Sequence, residues 1–234
     1  MKLRVCLLCV LIFLVTSAQC AEQQRPKKLV FSHVNHPVII HQLIPLIREV
    51  YAGLGINTVF IEQPSDRNLK AINKGLLDGD VVYSDLLLRG YDNLVIVQPP
   101  LVTSVFVLLC QPEARCEQQV LGDENTLVVS TDASYHGVNS WYGDSVKAEF
   151  YHINNLSIIP DLIAEKRFQY GIYIFSAEQI AQGTQNKVNY HELFRTNSYH
   201  ILNPRYAFLK DEVGRGIIRM LEQKKAENMV QRVE

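Results

Sequence analysis

The stretch from Gln63 to Asp80, QPSDRNLKAINKGLLDGD, most constrains what this chain can fold into. A helix within it would begin near Ser65, a residue type that caps helix N-termini, and would end at Gly75. Asp78-Gly79 then turns the chain into the apolar residues Val81 to Tyr83. Together with the strand before it, the stretch predicts a β-α-β unit. The helix would bury one stripe of apolar residues, which recur at helical spacing: Leu69, Ile72 and Leu76.

Strands and helices alternate along most of the chain, an order typical of a mainly parallel α/β sheet. The helix predicted between the first two strands contains Pro45, so we expect it to kink or restart there. A final amphipathic helix is predicted from the apolar spacing over 213–221. The other strands are predicted at Leu29–Ser32, Thr58–Ile61, Leu94–Val97, Thr103–Cys110, Leu127–Ser130, Phe150–Ile153, Tyr170–Phe175 and Tyr199–Leu202.

The N-terminus has the pattern of a secretory signal peptide. Lys2 and Arg4 precede an apolar run from Val5 to Val15, and small residues follow that run. The run is shorter than the roughly 20 residues that a membrane-spanning helix needs. We therefore expect residues 1–20 to be removed on export to the periplasm and residues 21–28 to form a flexible leader.

Cysteine usage agrees with export. Cys20 stands where a lipoprotein cysteine would, but lipid attachment is disfavoured because Gln19 is not the small residue that such processing prefers. Cys110 and Cys116 are close in sequence and could form a disulfide in an oxidising compartment, or could remain two free thiols.

Composition and motifs exclude several functions. The 234 residues carry a net charge of -1 and no basic run, which argues against a nucleic-acid partner. The sequence also lacks the G-x-S-x-G, G-x-x-x-x-G-K-[ST], H-E-x-x-H and G-x-G-x-x-G patterns of common enzyme and nucleotide sites. We therefore expect a binding protein without a cofactor rather than an enzyme.

A distinctive order of residues lies between Phe60 and Leu101. It resembles the pattern of bacterial extracellular solute-binding proteins of family 3, in which a helical proline, arginine and leucine precede a Gly-x-x-Asp-Gly turn and a proline-rich segment end. Proteins of that family have the periplasmic-binding-protein type II fold, and their best-known members bind polar amino acids for ABC importers. The residues that carry the resemblance are Pro64, Arg67, Leu69, Gly75, Asp78-Gly79, Tyr91, Asn93-Leu94, Val97 and Pro100-Leu101.

The resemblance implies an α/β fold of two lobes, each a mainly parallel sheet with flanking helices, joined by two crossing strands. The first lobe would comprise residues 29–103 plus 198–234, and the second lobe residues 104–197. One larger α/β domain is the alternative, but Pro99-Pro100 before a long strand favours a crossing between lobes. A ligand would be trapped when the lobes close by a hinge motion.

The resemblance also implies a function. The chain would be a monomeric periplasmic protein that captures a small polar solute between its lobes and passes it to an inner-membrane ABC permease. An extracytoplasmic sensor or accessory binding module is one alternative. A dehydratase-like periplasmic enzyme that uses a cleft carboxylate, such as Asp85 or Asp132, is another.

Ligand-binding residues are expected where strands end and helices begin, because open α/β sheets bind ligands there. Arginines at this rim could pair with an anionic group or serve as structural partners of helix ends. Hydroxyl and carboxyl groups that follow a strand could contact a ligand or merely cap the next helix, and a tyrosine there could stack on a ligand or belong to the core. The candidate set is Arg67, Tyr83, Ser84, Asp85, Arg89, Thr131, Ser134 and Tyr173.

The chain departs from the family pattern at the positions that would select the ligand. Amino-acid binders place an arginine in a Thr-x-x-Arg context to clamp the ligand carboxylate, whereas Arg89 follows Asp85-Leu86-Leu87-Leu88. Val82-Tyr83-Ser84 replaces a run of small residues. The Gly-Thr pair of the second lobe is represented only by the segment from Ser130 to Ser134. These departures argue against transferring an amino-acid ligand to this chain.

Three histidines lie close together in the first predicted loop and helix: His33, His36 and His41. Histidines at this spacing could bind a transition metal. No acidic or cysteine ligand accompanies them, so we expect loop or cap histidines and no metal site.

Overall fold

A computed structural model describes residues 25–88, 91, 93–183 and 188–231. The predicted signal peptide, residues 21–24 of the predicted leader and Arg89 lie outside the described residues. No helix within the described ranges is both long and apolar enough to span a membrane.

The described strands form one hydrogen-bonded sheet in the order β2-β1-β3-β8-β4-β7-β5-β6. At one end β1 runs parallel to β2 and β3, and at the other end β5 runs parallel to β6 and β7. The strands are β1 Lys28–His33, β2 Asn57–Glu62, β3 Gly79–Ser84, β4 Val95–Cys110, β5 Leu127–Ser130, β6 Glu149–His152, β7 Tyr170–Ser176 and β8 Asn189–Leu202.

Six α-helices flank these strands within the described residues. A π-helical turn, Ile39–Leu43, leads directly into the first of them. Pro45 lies in the first turn of that helix, where proline's missing N–H is tolerated. The backbone stays right-handed helical from Leu43 into Ile44, so the chain changes from π- to α-helical winding before Pro45 and does not break there. The helices are α1 Ile44–Ala52, α2 Ser65–Asn73, α3 Asp132–Tyr142, α4 Ile159–Ala164, α5 Ala177–Gln182 and α6 Lys210–Gln231.

Short 3-10 turns occupy most of the remaining connections. They lie at Asp85–Leu88, Gln118–Gly122, Gly143–Ser145, Leu156–Ile158 and Pro204–Leu209.

Strand β4 corrects the sequence analysis, which predicted separate strands before and after Pro99-Pro100. The structure has a single 16-residue strand through both prolines. Its pairing with β8 shifts register between Val97 and Val102. Proline cannot donate to a sheet ladder, so the prolines interrupt the pairing while the extended backbone continues.

Strand β8 is also longer than predicted, because it begins at Asn189 rather than Tyr199. The added residues are mostly exposed or half-buried, and they alternate too weakly to signal a strand in the sequence. They pair antiparallel with the second half of β4, so the strand depends on a distant partner.

The buried side chains divide into two lobes. In the first lobe, α1 and α6 cover one face of β1–β3 around Leu29, Phe31 and Ile47, while α2 covers the other face. In the second lobe, α3 packs on the even-numbered residues of β4, such as Phe106 and Leu108. The odd-numbered residues of β4 pack against α4. The predicted two-lobed α/β fold is therefore confirmed, with β4 and β8 passing through both lobes.

The β-α-β unit of the opening stretch is present, with two local corrections. Helix α2 begins at Ser65 with Pro64 in the N-cap position, one residue before the predicted cap. Leu76 lies beyond the helix end and is 74% exposed, whereas Leu77 is buried. Gly75 adopts a φ of 72°, a backbone conformation that favours glycine, and this ends the helix before Leu76 can join its apolar stripe.

Cys110 and Cys116 are joined by a disulfide bond. The bond links the end of β4 to the loop that follows it, at the edge of the second-lobe core.

Candidate functional site

A cavity of about 110 Å³ lies where the two lobes face each other. The first lobe contributes the segment after β1 and the end of β3, and the second lobe contributes the start of α3 and the end of β7. The crossing strands β4 and β8 form its floor. The cavity thus lies at strand carboxyl ends and a helix N-terminus, where open α/β sheets bind ligands.

The second-lobe wall is built on the first turn of α3. Thr131 caps this helix, because its Oγ1 accepts a hydrogen bond from the Ser134 N–H at 3.2 Å. The Thr131 and Ser134 hydroxyls also hydrogen-bond to each other at 2.9 Å. Both side chains line the cavity, and Ser134 is fully buried.

The end of β3 forms part of the first-lobe wall. Tyr83 and Ser84 both line the cavity, and the Ser84 hydroxyl lies 3.2 Å from the Thr196 hydroxyl on β8. Thr196 in turn donates to a carboxylate oxygen of Asp85. The Asp85 carboxylate is therefore hydrogen-bonded to β8, and Asp85 does not line the cavity.

The floor carries a further hydroxyl pair and one aromatic ring. Ser104 on β4 and Ser198 on β8 hydrogen-bond through their hydroxyls at 2.8 Å. Phe106 follows on the same strand and is fully buried. All three residues line the cavity, so the crossing strands contribute directly to the site.

His36 connects the lobes across the cavity. Its Nε2 donates to the Ile174 carbonyl oxygen of β7 at 2.9 Å, and its ring centroid lies 5.6 Å from that of Tyr173. Burial lowers the pKa of His36 below its ordinary value, an effect that the hydrogen bond to Ile174 only partly offsets. The neutral form of the His36 ring is therefore the one that makes this hydrogen bond.

The structure brings together only part of the predicted site. Four of the candidates, Tyr83, Ser84, Thr131 and Ser134, line the cavity. Arg67 is exposed on α2, and Asp85 is held by Thr196. Tyr173 is buried in the second-lobe core and does not line the cavity, although its ring lies beside that of His36. Arg89 lies outside the described residues.

Cavity residues that are brought together by long-range strand pairing were not predicted from the sequence. Ser104 and Ser198 meet only because β4 and β8 lie side by side as an antiparallel pair. His36 was expected to be a loop or cap histidine, with a metal ligand as the alternative, although its position after the first strand placed it on the same rim as the other candidates. Other residues that were not predicted to line the site include Val34, Val38, Ile39, Leu43, Phe106, Ile174, Phe175 and Ser176.

The cavity walls are mainly apolar. Among the described residues that line it, none is Asp, Glu, Lys or Arg. Its Ser and Thr hydroxyls are mostly engaged with protein partners, as in the pairs described above and in Ser176, which caps α5 by accepting from the Gln179 N–H at 3.1 Å. The site can therefore surround an apolar body and offer a few neutral hydrogen-bonding groups.

The three histidines near the first strand have separate surroundings. His33 is buried and its Nδ1 lies 3.1 Å from the Val34 carbonyl oxygen, His36 binds β7, and His41 is exposed. Across the part of the chain that the structure describes, no group of three or more His, Cys, Asp or Glu is placed to hold a metal ion.

Solved structures with the same architecture define the class of fold. The chain resembles the ancestral amino acid-binding protein AncCDT-1, described as a precursor of cyclohexadienyl dehydratase, with a TM-score of 0.68 at 12% identity over 88% of this chain and 95% of that one. The GluR0 ligand-binding core from Nostoc punctiforme, in complex with L-glutamate, gives 0.65 at 14% identity over 87% and 98%. A histidine kinase sensor domain similar to periplasmic binding proteins gives 0.65 at 12% over 90% and 96%.

These similarities establish that the chain has the two-lobed fold of periplasmic binding proteins. The resemblance predicted from the sequence is confirmed at the level of the fold. No protein-family model matches the sequence, and no curated protein matches it significantly.

Proposed function

We propose that the protein binds a small solute in the cavity between its lobes. The observation that carries this proposal is the position of the cavity, which is walled by both lobes and floored by the strands that connect them. A ligand there would contact both lobes at once, so its binding energy would favour the closed arrangement. The absence of a recognised catalytic motif in the sequence favours binding over turnover.

The buried clusters support a proposal for the lobe boundaries. We infer that the first lobe spans residues 29–103 and 198–234 and the second lobe residues 104–197. Support comes from the core clusters, since the first-lobe clusters draw on Leu29 to Val102 and Ile201 to Leu221. The second-lobe clusters draw mainly on Val105 to Phe194.

The role that we infer for this binding is delivery of a solute to a membrane importer after export to the periplasm. The signal-peptide pattern of residues 1–20 supports export. A sensor module is the second candidate, and it is supported by the similarity to a histidine kinase sensor domain. Loss of ligand uptake on deletion of the gene would support delivery, whereas unchanged uptake with a lost transcriptional response would support sensing.

Solute binding can be tested by thermal denaturation with a panel of amino acids, organic acids, alcohols and sugars. A ligand that binds only the folded state raises the free energy of unfolding by about 2.7 kcal/mol when its concentration is a hundred times Kd, and Tm rises accordingly. Ala133→Phe, which fills the cavity from α3, should abolish the shift. Ser140→Phe, on an exposed part of the same helix, should preserve it. A panel in which no compound shifts Tm would contradict the proposal.

A further inference from the structure

We propose that the cleft selects an uncharged solute with a mainly apolar body and one or two neutral oxygen groups, such as a small alcohol or carbonyl compound. This inference rests on the proposed solute-binding function and specifies the class of ligand. It differs from the ligands in the solved structures that share the fold, which include L-glutamate and arginine.

The described lining of the cavity is uncharged. No described residue that lines the cavity carries a full charge at neutral pH, since burial keeps His36 in its neutral form. Asp85, the nearest carboxylate along the chain to the end of β3, is engaged by Thr196. A charged ligand enclosed between the lobes would lose its hydration without gaining an opposite charge, which is strongly unfavourable.

Both lobes present apolar surface to the cavity. The first lobe presents Val34, Val38 and Ile39, and the second lobe presents Phe106, Ile174 and Phe175. Aliphatic and aromatic groups therefore face the cavity from both sides. Binding of an apolar ligand to such walls is favourable, because closure of the cleft removes the apolar surfaces of both ligand and protein from water.

Hydroxyl pairs supply the polar groups of the site. In each of the pairs Ser84–Thr196, Ser104–Ser198 and Thr131–Ser134, one hydroxyl donates to the other. The second proton of the Ser84–Thr196 pair goes to the Asp85 carboxylate. In the other two pairs all four hydroxyls line the cavity, and each pair keeps acceptor positions and a second proton for another partner. These groups suit a neutral oxygen atom on the ligand and supply no charge. They limit the polar part of the ligand to a few hydrogen bonds.

The size of the cavity determines which small molecules are suitable as test ligands. An apolar cavity of about 150 Å³ in another protein admits benzene, so a cavity of about 110 Å³ suits molecules of similar or smaller size. Two matched series differ in charge at nearly constant shape. They are isobutanol, isobutyrate and isobutylamine, and 1-propanol, propionate and propylamine.

The experiment measures Kd for all six probes by ligand-observed NMR, with L-glutamate and L-arginine as additional charged ligands. We expect each alcohol to bind at least tenfold more tightly than the acid and amine of its series, and Ala133→Phe to abolish that binding. Ser140→Phe should leave it unchanged. Retention of alcohol binding in Ala133→Phe would place the site elsewhere and overturn the inference.

A substitution of Arg89 tests the alternative that the ligand is an anion. If an anion binds more tightly than its matched alcohol and Arg89→Ala removes that preference, the ligand is anionic and the inference is wrong, while solute binding stands. Tighter binding of an amine or of either amino acid in the cleft would have the same consequence. If no probe of any class binds, and the wider panel also fails to raise Tm, both the inference and the proposed function fail.

Discussion

Asp80 illustrates at the scale of one residue how the first lobe uses a buried carboxyl group. It is 2% exposed and accepts hydrogen bonds from the Ser32 hydroxyl at 2.6 Å and the Asn68 amide at 2.8 Å. The Val82 N–H donates to its other oxygen at 3.1 Å. Burial nevertheless raises the pKa of Asp80 to about 7, because three donors do not replace the lost hydration. The group ties β1, α2 and β3 together at the base of the first lobe.

Asp80→Asn should change how stability depends on pH. Because the folded pKa lies above the unfolded one, the contribution of Asp80 to wild-type stability should fall as pH rises from about 4 to about 7, by at most about 1.4 kcal/mol per pH unit. The amide in the variant would be neutral throughout, and Asn68 can rotate its own amide to match it, since its Oδ1 has no partner among the described contacts. Urea unfolding at pH 5, 6, 7 and 8 should therefore increasingly favour the variant.

The comparison between variant and wild type cancels the titration of other buried groups, such as His200. Burial lowers the pKa of His200 to about 4, so folding disfavours its protonation and both proteins lose stability as pH falls below about 6.5. Asp144→Asn, at an exposed position, is the matched control and should follow the wild-type profile. Parallel profiles for Asp80→Asn and wild type would contradict the prediction.

At the scale of elements, the turn between α2 and β3 is fastened by a segment far along the chain. An Asp78 carboxylate oxygen accepts from the Val30 N–H of β1 at 2.7 Å. The Arg205 guanidinium pairs with the other oxygen and also donates to the Gly75 carbonyl at 3.3 Å. Asn203 adds a backbone hydrogen bond to the Asp78 carbonyl at 2.8 Å. The chain that follows β8 therefore holds the turn that begins β3.

Substitutions at this turn should separate the ion pair from the carboxylate's bond to β1. Arg205→Ala should lower the free energy of unfolding by about 1 kcal/mol, because the arginine is half exposed and water weakens the pair. Asp78→Ala should cost about 2–3 kcal/mol, because it also leaves the Val30 N–H without this acceptor. Both values can be measured by urea denaturation.

Arg195 provides the control, because its pair with Glu192 lies on the exposed side of β8. Arg195→Ala should change stability by less than about 0.5 kcal/mol. Equal effects for Asp78→Ala and Arg205→Ala would show that the bond to Val30 contributes nothing beyond the ion pair.

The elements also show how far the sequence could be interpreted. The β-α-β unit around α2 was predictable because helix spacing, Gly75 and Asp78-Gly79 are local signals. Tyr83 and Ser84 were predictable as cavity residues because strand ends define the rim. The continuity of β4 was not, since two prolines signal a break unless a partner strand is known. Nor was the contact of His36 with Ile174, 138 positions away.

At the scale of the whole molecule, the two lobes are connected in two different ways. Strands β4 and β8 pass between them, and their pairing is irregular between Val97 and Val102, where fewer hydrogen bonds would oppose bending. On the other side of the cavity, His36 of the first lobe holds Ile174 of the second. The irregular pairing of the connecting strands and the contact across the cavity together suit a closure that His36 stabilises.

Removing this contact should shift the lobes toward a more open arrangement. His36→Ala loses a hydrogen bond with a net value of about 1 kcal/mol, which is about a fivefold change in the equilibrium between closed and open forms. It also loses the ring contact with Tyr173. Small-angle X-ray scattering at pH 7.5 should show a larger radius of gyration for His36→Ala than for wild type. His41→Ala, at an exposed position nearby, should match wild type.

The same contact predicts a dependence on pH. Because burial lowers the pKa of His36, protonation favours arrangements in which the ring is hydrated, and the wild-type lobes should open as pH falls below about 6.5. The difference in radius of gyration between wild type and His36→Ala should therefore be largest at pH 7.5 and shrink by pH 5.5. Far-ultraviolet circular dichroism under the same conditions separates opening from unfolding. Superimposable scattering curves for the two proteins at pH 7.5 would show that His36 does not hold the lobes together.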